Sequence, residues 1–364
     1  MNKDWKKRLI KTVAAALVST TANLTSTAQT QTSLYQPGVT PEGAVYFLPK
    51  TAIQFRILIE KAAYQPGEFA RFAQRHLRLN DVGLVPKTSF RVIDILPVAV
   101  GVADTTKAFA VKFNPKTVAA NVALSEDGVL LAINGEPRPS SLPAHFRPER
   151  RQRPADPHQF LNEEILTAGS TAKMAELTAR EIYDLRENRN LLIKGQADFM
   201  PSDGAQMKLM LAQIDQQDQA LTQLFQGVTQ RDTTEHVITI VPTKSTERGV
   251  LFRMSQRSGI VDKDDLSGEP YYLTITDNTA LPGSEEQKGK KKLVETGIYV
   301  NIPGKMRITL EHDEQVVSTT EMPAGQFGYV ELLSGELFNK HYTTRLWLDP
   351  VGGGVDRLEA EQPK

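Results

Sequence analysis

The sequence predicts an α+β protein made of a β-rich N-terminal domain with one short helix, a helical hairpin and a C-terminal β-sandwich-like domain. Three observations lead to that reading. Near both ends of the chain, apolar and polar residues alternate with a period of two and many apolar positions are β-branched, which is the pattern of half-buried strands. In the middle, two consecutive stretches instead repeat apolar residues every three and four positions, the spacing of one helix face. A proline- and arginine-rich segment precedes these helices, and proline continues neither regular structure.

Residues 1–28 read as a signal peptide. Lys3, Lys6, Lys7 and Arg8 supply a positive start, and Leu9 to Val18 form an apolar core broken only by Lys11 and Thr12. Ser26-Thr27-Ala28 then offers small residues at the two positions a signal peptidase reads. The apolar core is shorter than the roughly 20 residues a membrane span needs, so no transmembrane span is expected.

Residues 29–135 form the β-rich N-terminal domain. Ile53, Phe55, Ile57 and Ile59 fall on one strand face, with Gln54, Arg56 and Glu60 on the other, and Phe109, Val111 and Phe113 repeat the alternation. Asp127-Gly128 separates two apolar runs and predicts a hairpin with a type I′ turn, in which both central residues take positive φ. Phe69, Phe72, Ala73, His76 and Leu77 are spaced as one short helix. Tyr-Gln-Pro-Gly occurs twice, at 35–38 and 64–67, with unrelated flanks, and reads as turn chemistry rather than an internal repeat. Pro66 sets the second turn position and Gly67 supplies positive φ at the third, so the second copy carries a strand into the short helix.

Residues 136–165 form an exposed linker. Six prolines and Arg138, Arg147, Arg150, Arg151 and Arg153 fall within residues 136–160, and among these arginines Phe146 is the one aromatic neighbour for a basic binding patch. The helical hairpin follows at 166–230. Thr178, Ile182, Leu185, Arg189 and Leu192 mark the face of its first helix, stopped by Gly195. Ser202 is placed to cap the second helix, whose stripe is Met207, Met210, Leu211, Ile214, Leu221, Leu224 and Phe225, ended by Gly227. Its polar face, Gln213 to Gln219 with Asp215 and Asp218, reads as solvated surface. Strand patterning resumes over 231–350, clearest at His236 to Val241, Val250 to Met254, Tyr271 to Ile275, Met306-Ile308-Leu310 and Leu346-Leu348. Residues 351–364, glycine-rich and then charged, are expected to be a disordered tail.

Lysine plus arginine and aspartate plus glutamate both number 43, so net charge provides no attraction to nucleic acid or anionic lipid. The absence of cysteine removes disulfides, thiolate metal sites and thiol catalysis. There is no G-x-S-x-G elbow, no P-loop and no G-x-G-x-x-G cradle. The six histidines, His76, His145, His158, His236, His312 and His341, include no paired metal-binding motif, and His76 reads as a boundary residue of its helix. Asp262 to Glu269 resembles a calcium loop, but its glycine falls at the seventh position rather than the sixth and leucine occupies the fifth. Hairpin grammar accounts for it more simply. Glu163-Glu164 and Asp264-Asp265 are neighbours in sequence, whereas a glycosidase pair spans a cleft from separate elements. Lys288 to Lys292 reads as a solubilising loop.

The blocks YQPGEFARFAQRHL (64–77), EIYDLRENRNLLIKGQADFMPSDGAQMKLMLAQIDQQDQALTQLFQG (181–227), SGEPYYL (267–273), GIYVNIPG (297–304) and AGQFGYVELL (324–333) resemble a family of exported proteins from gut-type Bacteroidota described only as a domain of unknown function. The resemblance spans nearly all of the chain after the leader. It implies export and a shared two-part architecture, and it brings no activity and no catalytic residues.

The sequence therefore assigns no catalytic, cofactor-binding or metal-binding residue. Tyr64, Pro66, Gly67, Gly195 and Gly227 are structural positions. The expected function is that of an exported cell-envelope protein, in the periplasm or at the cell surface, that binds or scaffolds an envelope protein or polysaccharide without catalysis. The alternatives are a hydrolase of envelope or dietary glycans or peptides, and a periplasmic assembly factor for outer-membrane proteins using strand edges or the methionine-rich helix. Neither nucleic acid nor a cofactor is expected as a partner.

Overall fold

The computed structural model describes residues 31–35, 44–112, 121–138, 155–280, 297–338 and 343–361, and it is an α+β protein in which strand predominates over helix. Residues 1–28, residues 36–38 of the first Tyr-Gln-Pro-Gly, Phe113, residues 139–154 with His145 and Phe146, the lysine run 288–292 and His341 lie outside the described residues. No helix among the described residues is long and apolar enough to cross a membrane.

Two long strands organise the molecule. β2 (Ala44–Gln65) and β3 (Lys87–Lys112) pair antiparallel along almost their full length. β1 (Gln31–Leu34) adds to the far side of β3 and β6 (Val228–Ile240) to the far side of β2, giving a sheet of order β1-β3-β2-β6. A second sheet, β11-β10-β9-β7-β8, is built from β7 (Thr246–Ser255), β8 (Gly259–Val261), β9 (Glu269–Asp277), β10 (Gly297–His312) and β11 (Gln315–Ser334). The third, β13-β12-β5-β4, joins β4 (Val122–Leu124) and β5 (Leu130–Ile133) to β12 (Thr343–Leu348) and β13 (Val355–Glu361). Strands from the first β-rich stretch and from the last are thus neighbours, β2 with β6 and β5 with β12.

The alternation in β2 has two phases. Ile53, Phe55, Ile57 and Ile59 are buried against Phe252, Leu273, Ile275, Met306, Ile308 and Leu310 of the second sheet. Tyr46 and Leu48, of the opposite parity, are buried with Phe109, Val111, Leu130, Ile133, Ile298, Val300, Leu346 and Leu348. One strand therefore turns opposite faces inward in its two parts and serves two cores. Each such side chain contributes about 1.5–3 kcal/mol of burial. Between the pairs Phe47–Ala108 and Pro49–Ala103, β2 carries one residue and β3 carries four, a large bulge at the change of phase.

A buried polar waist lies between these two cores. Asn301 is fully buried, and its amide donates to the carbonyls of Pro49 (2.8 Å) and Gly352 (3.0 Å). The Thr51 N–H donates to Gln326 Oε1 at 2.8 Å, and Gln326 Nε2 returns a bond to the Thr51 carbonyl at 2.9 Å. The bulge turns Lys107 inward, 3.5 Å from Asn301 Oδ1 and 3.4 Å from the Gly325 carbonyl. Burial lowers its pKa, with a smaller opposing pull from Asp104. Buried polar groups persist only when partnered in this way. The waist also corrects the expectation of a disordered tail. Gly352 and Gly353 are buried in it, and residues 355–361 form β13, paired with β12. Glycines that read as flexible from composition are packed here against Pro49, Asn301 and Pro303.

The Asp127-Gly128 hairpin forms, but not as a type I′ turn. Among its residues only Gly128 has positive φ, +79°. Gly128 N–H donates to Ser125 O at 3.0 Å and Ser125 N–H to Val129 O at 2.9 Å, closing a longer loop that needs one left-handed residue instead of two.

The helices gather beyond the far end of β2. α1 (Ala73–Leu77), preceded by a 3-10 turn at Ala70–Phe72, packs with α2 (Glu163–Leu166), α3 (Thr171–Lys194) and α4 (Gly204–Gln226) around Phe69, Ile165, Ala175, Ile182, Leu221, Leu224 and Phe225. Ser170 caps α3, and left-handed Gly195 (φ +72°) ends it. The α4 cap is Asp203, which accepts from Gln206 N–H at 2.7 Å, while Ser202 N–H donates to the Gln206 side chain at 3.0 Å. The cap therefore sits one residue later than expected, and Gln206 satisfies the N–H of the residue before it. Asp215 and Asp218 are not simple solvated surface. Arg189 donates to Asp215 at 2.6 Å and Arg186 to Asp218 at 3.0 Å, because antiparallel packing brings these turns of α3 and α4 level.

Candidate functional site

Strand alternation puts Glu60, Ala62 and Tyr64 of β2 on the outer face of the first sheet, opposite the core face of Ile57 and Ile59. Register supplies their neighbours. Glu60 faces Arg91, Ala62 faces Ser89 and Arg231, and Tyr64 faces Lys87 and Thr229. The small side chains of Ala62, Ser89 and Thr229 leave a hollow of about 350 Å³ rimmed by Lys87, Arg91, Arg231 and Tyr64. That is near the lower end of the roughly 300–1,000 Å³ typical of ligand sites. Just before it, β3 carries one extra residue against Leu58 and Ile59, and such a bulge increases local twist and re-aims the side chains that follow.

Glu60 is 5% exposed despite its charge. One carboxylate oxygen accepts from Arg91 Nε and from an Arg231 guanidinium nitrogen, each at 2.8 Å. Bonding to Arg91, and then to Arg231, holds the carboxyl below its ordinary pKa range against the opposing effect of burial. The carboxylate in turn fixes where the guanidinium groups point. Lys87 has no ion-pair partner among the described residues. Three cations lining a hollow that holds one carboxylate make a site suited to an anionic group, which planar guanidinium forks engage through paired hydrogen bonds.

Tyr64 and Gly67, singled out in the sequence as turn residues, form the wall where the sheet meets the helices. The Tyr64 hydroxyl donates to the Gly83 carbonyl at 2.8 Å, with the Gln226 carbonyl 3.1 Å away. The expectation of positive φ at Gly67 is not met, since Gly67 is absent from the left-handed residues. Glycine is required there for another reason: a Cβ would lie 2.2 Å from the Leu224 carbonyl oxygen.

A second hollow, of about 330 Å³, lies at the β10–β11 turn among Arg248, Glu269, Tyr272, His312, Asp313 and Glu314. The His312 ring stacks on Tyr271 at 4.0 Å, and Tyr271 stacks on Phe252 at 4.5 Å. The Arg248 guanidinium sits 3.7 Å over Tyr272 and donates to Glu311 at 2.8 Å. Asp313 and Glu314 both have left-handed backbone, φ 49° and 59°, which makes a two-residue hairpin turn.

The other residues weighed in the sequence are dispersed. His76 is half-buried beside Phe72, and His236 is exposed. His158 lies between Asp156 (3.0 Å) and Glu68 (2.8 Å). Glu163 and Glu164 occupy the first turn of α2, which Asn162 caps, where negative charge suits the helix dipole. Asp262 to Glu269 is a tight turn. Asp262 accepts from Asp264 N–H at 3.0 Å, Asp265 accepts from Ser267 N–H at 2.9 Å, and Arg253 donates to the Lys263 carbonyl at 2.7 Å. Among the described residues no three histidine or carboxylate side chains converge as a metal site. Reading the sequence alone missed Arg91 and Arg231. Their only signal is the polar phase of β3 and β6, which shows an exposed face but not what that face meets.

Comparison with known proteins bears on most of this structure at once. A family described as a domain of unknown function (DUF4831) matches residues 42–356, and the chain belongs to that family. No curated protein and no solved structure matches the chain.

Proposed function

We propose that this member of a domain-of-unknown-function family is an exported cell-envelope protein that binds acidic groups, without catalysis, through the hollow on the outer face of its first sheet. The observation that carries the reading is a hollow in which Arg91 and Arg231 are held by the buried Glu60 carboxylate and Lys87 stands on the rim without an ion-pair partner among the described residues. An acidic envelope polymer or protein supplies the matching chemistry. Export rests on the positive start, apolar core and small-residue end of residues 1–28. Calorimetric titration of the purified protein with polygalacturonate, a polycarboxylate glycan, against neutral dextran tests the reading. Binding of the polyacid alone is expected, weakened about tenfold by Arg91→Gln, the order of one charge-assisted hydrogen bond. Equal response to both polymers sinks it.

One observation favours a second reading, an assembly factor for outer-membrane proteins. At the outer end of the helical hairpin Phe199 is 86% and Leu209 70% exposed, and Met207 and Met210 are half-buried on α4. Exposed apolar and methionine side chains suit adaptable client binding. Suppression of the aggregation of an unfolded β-barrel protein, lost on Leu209→Ser, is the outcome that this reading requires.

A further inference from the structure

Two surfaces of the chain complement each other in both charge and apolarity. The first is the cationic hollow with Lys87 and Arg91 on its rim, and exposed Leu84 and Val85, the latter 70% exposed, lie in the segment just before Lys87. The second is the β10–β11 turn. β9 pairs with β10 only as far as His312, so Asp313 and Glu314 project past the sheet end, exposed, and exposed Val316 (61%) and Val317 follow them. A turn with positive φ at two positions ordinarily selects Asn-Gly, so its steric demand does not explain why two acids stand there. What the acids supply is charge, presented at the tip of a rigid two-residue loop.

We infer that the protein associates with a second copy of itself, the Asp313-Glu314 turn of one molecule seating on the Lys87, Arg91 and Arg231 hollow of another, with Val316 and Val317 against Leu84 and Val85. This rests on the hollow being an anion site and names a protein partner for it. Two acids meet a cluster of cations, and two exposed apolar pairs cover each other, so the contact joins an ionic element that sets register to an apolar one that removes surface from water. A contact between unlike surfaces propagates head to tail unless symmetry closes it, which suits a scaffold.

Sedimentation equilibrium of the intact protein at low and high salt is the test. Self-association is expected at low ionic strength and weakens as salt rises, because the charges lie at the surface. Lys87→Glu alone and Glu314→Lys alone each weaken association about tenfold or more, corresponding to loss of a charge-assisted contact. The double variant Lys87→Glu/Glu314→Lys regains it, since the swapped charges again attract. Both positions are exposed, so circular dichroism and unfolding midpoints stay at the parent values. A parent that remains monomeric at low salt overturns the inference, as does a double variant that stays as weak as the singles. Polygalacturonate binding without self-association leaves the anion-binding function standing and removes only this partner. Self-association with charge-swap rescue but no polygalacturonate binding keeps the hollow as a site for acidic side chains of a second copy and removes only the acidic polymer as its ligand.

Discussion

The two ends of the helical hairpin are built differently. Near the sheet, α3 and α4 bury Ala175, Ala179, Ile182, Leu221, Leu224 and Phe225, and Gly67 and Tyr64 lock the α4 terminus to β2. Away from the sheet, Leu185 and Leu192 are buried and half-buried Ile214 packs against the same core, but beyond these the helices are joined mainly by Arg186–Asp218 and Arg189–Asp215 across a seam that ends in exposed Phe199 and Leu209. One end is held by apolar area removed from water. The other is held by partly exposed ion pairs, which contribute only about 0.2–1 kcal/mol each. The difference teaches that the hairpin is anchored at its base and adaptable at its tip, so mutational sensitivity falls steeply along its length.

The steepest effect belongs at the base. Phe225→Ala removes a fully buried ring that packs 5.4 Å from Phe69, and a loss of about 3–5 kcal/mol in denaturant unfolding is expected. A loss below 1 kcal/mol would falsify the anchored-base description. Gly67→Ala comes next. Its added Cβ lies 2.2 Å from the Leu224 carbonyl oxygen, a backbone atom that cannot swing away, so about 1–3 kcal/mol is expected, with faster amide exchange at the end of α4. Arg189→Ala removes one ion pair at a half-exposed position and is expected to cost no more than about 1 kcal/mol, shrinking with added salt. A larger, salt-independent loss would place the distal half among the packed regions. Leu209→Ser is expected to stay within about 0.5 kcal/mol of the parent, as an exposed substitution should.

A pH effect sharpens the same comparison at the base. His158 bridges Asp156 on its own segment and Glu68 beside the Tyr-Gln-Pro-Gly turn, and bonding to Asp156, then to Glu68, raises its pKa above the ordinary value. A group whose folded pKa is raised contributes stability that is fully present below its unfolded pKa, about 6.5, and is lost as pH rises through the folded value. Amide exchange over residues 156–166 is therefore expected to be slower at acidic pH than mildly alkaline pH, after correction for intrinsic rates. His158→Gln is expected to flatten that difference.

Local patterns carried much of the fold. Ile53-Phe55-Ile57-Ile59 and Met306-Ile308-Leu310 are buried as their period of two requires, and the Gly195 stop of α3 appears where the sequence places it. The phase change of β2 between Leu48 and Ile53 was not legible, because it depends on which sheet lies against each part of the strand. Asp203 in place of Ser202 as the α4 cap is a shift of one residue between two good capping side chains, which local propensity cannot separate. The glycine-rich tail was misread because composition registers backbone freedom and not the packing at Pro49 and Asn301 that removes it.

The sequence by itself determined the alternation within the Ile53–Ile59 and Met306–Leu310 runs, the Gly195 stop of α3 and the absence of thiol chemistry, since all of these follow from composition or from residues within a few positions of one another. Tertiary structure alone decided the candidate site. Glu60 meets Arg91 across 31 residues and Arg231 across 171, and the Lys87 rim and the Tyr64 wall depend on the same strand register. Register is set by the burial of the opposite face, so the polar face receives its partners as a consequence of packing that the polar residues do not themselves specify.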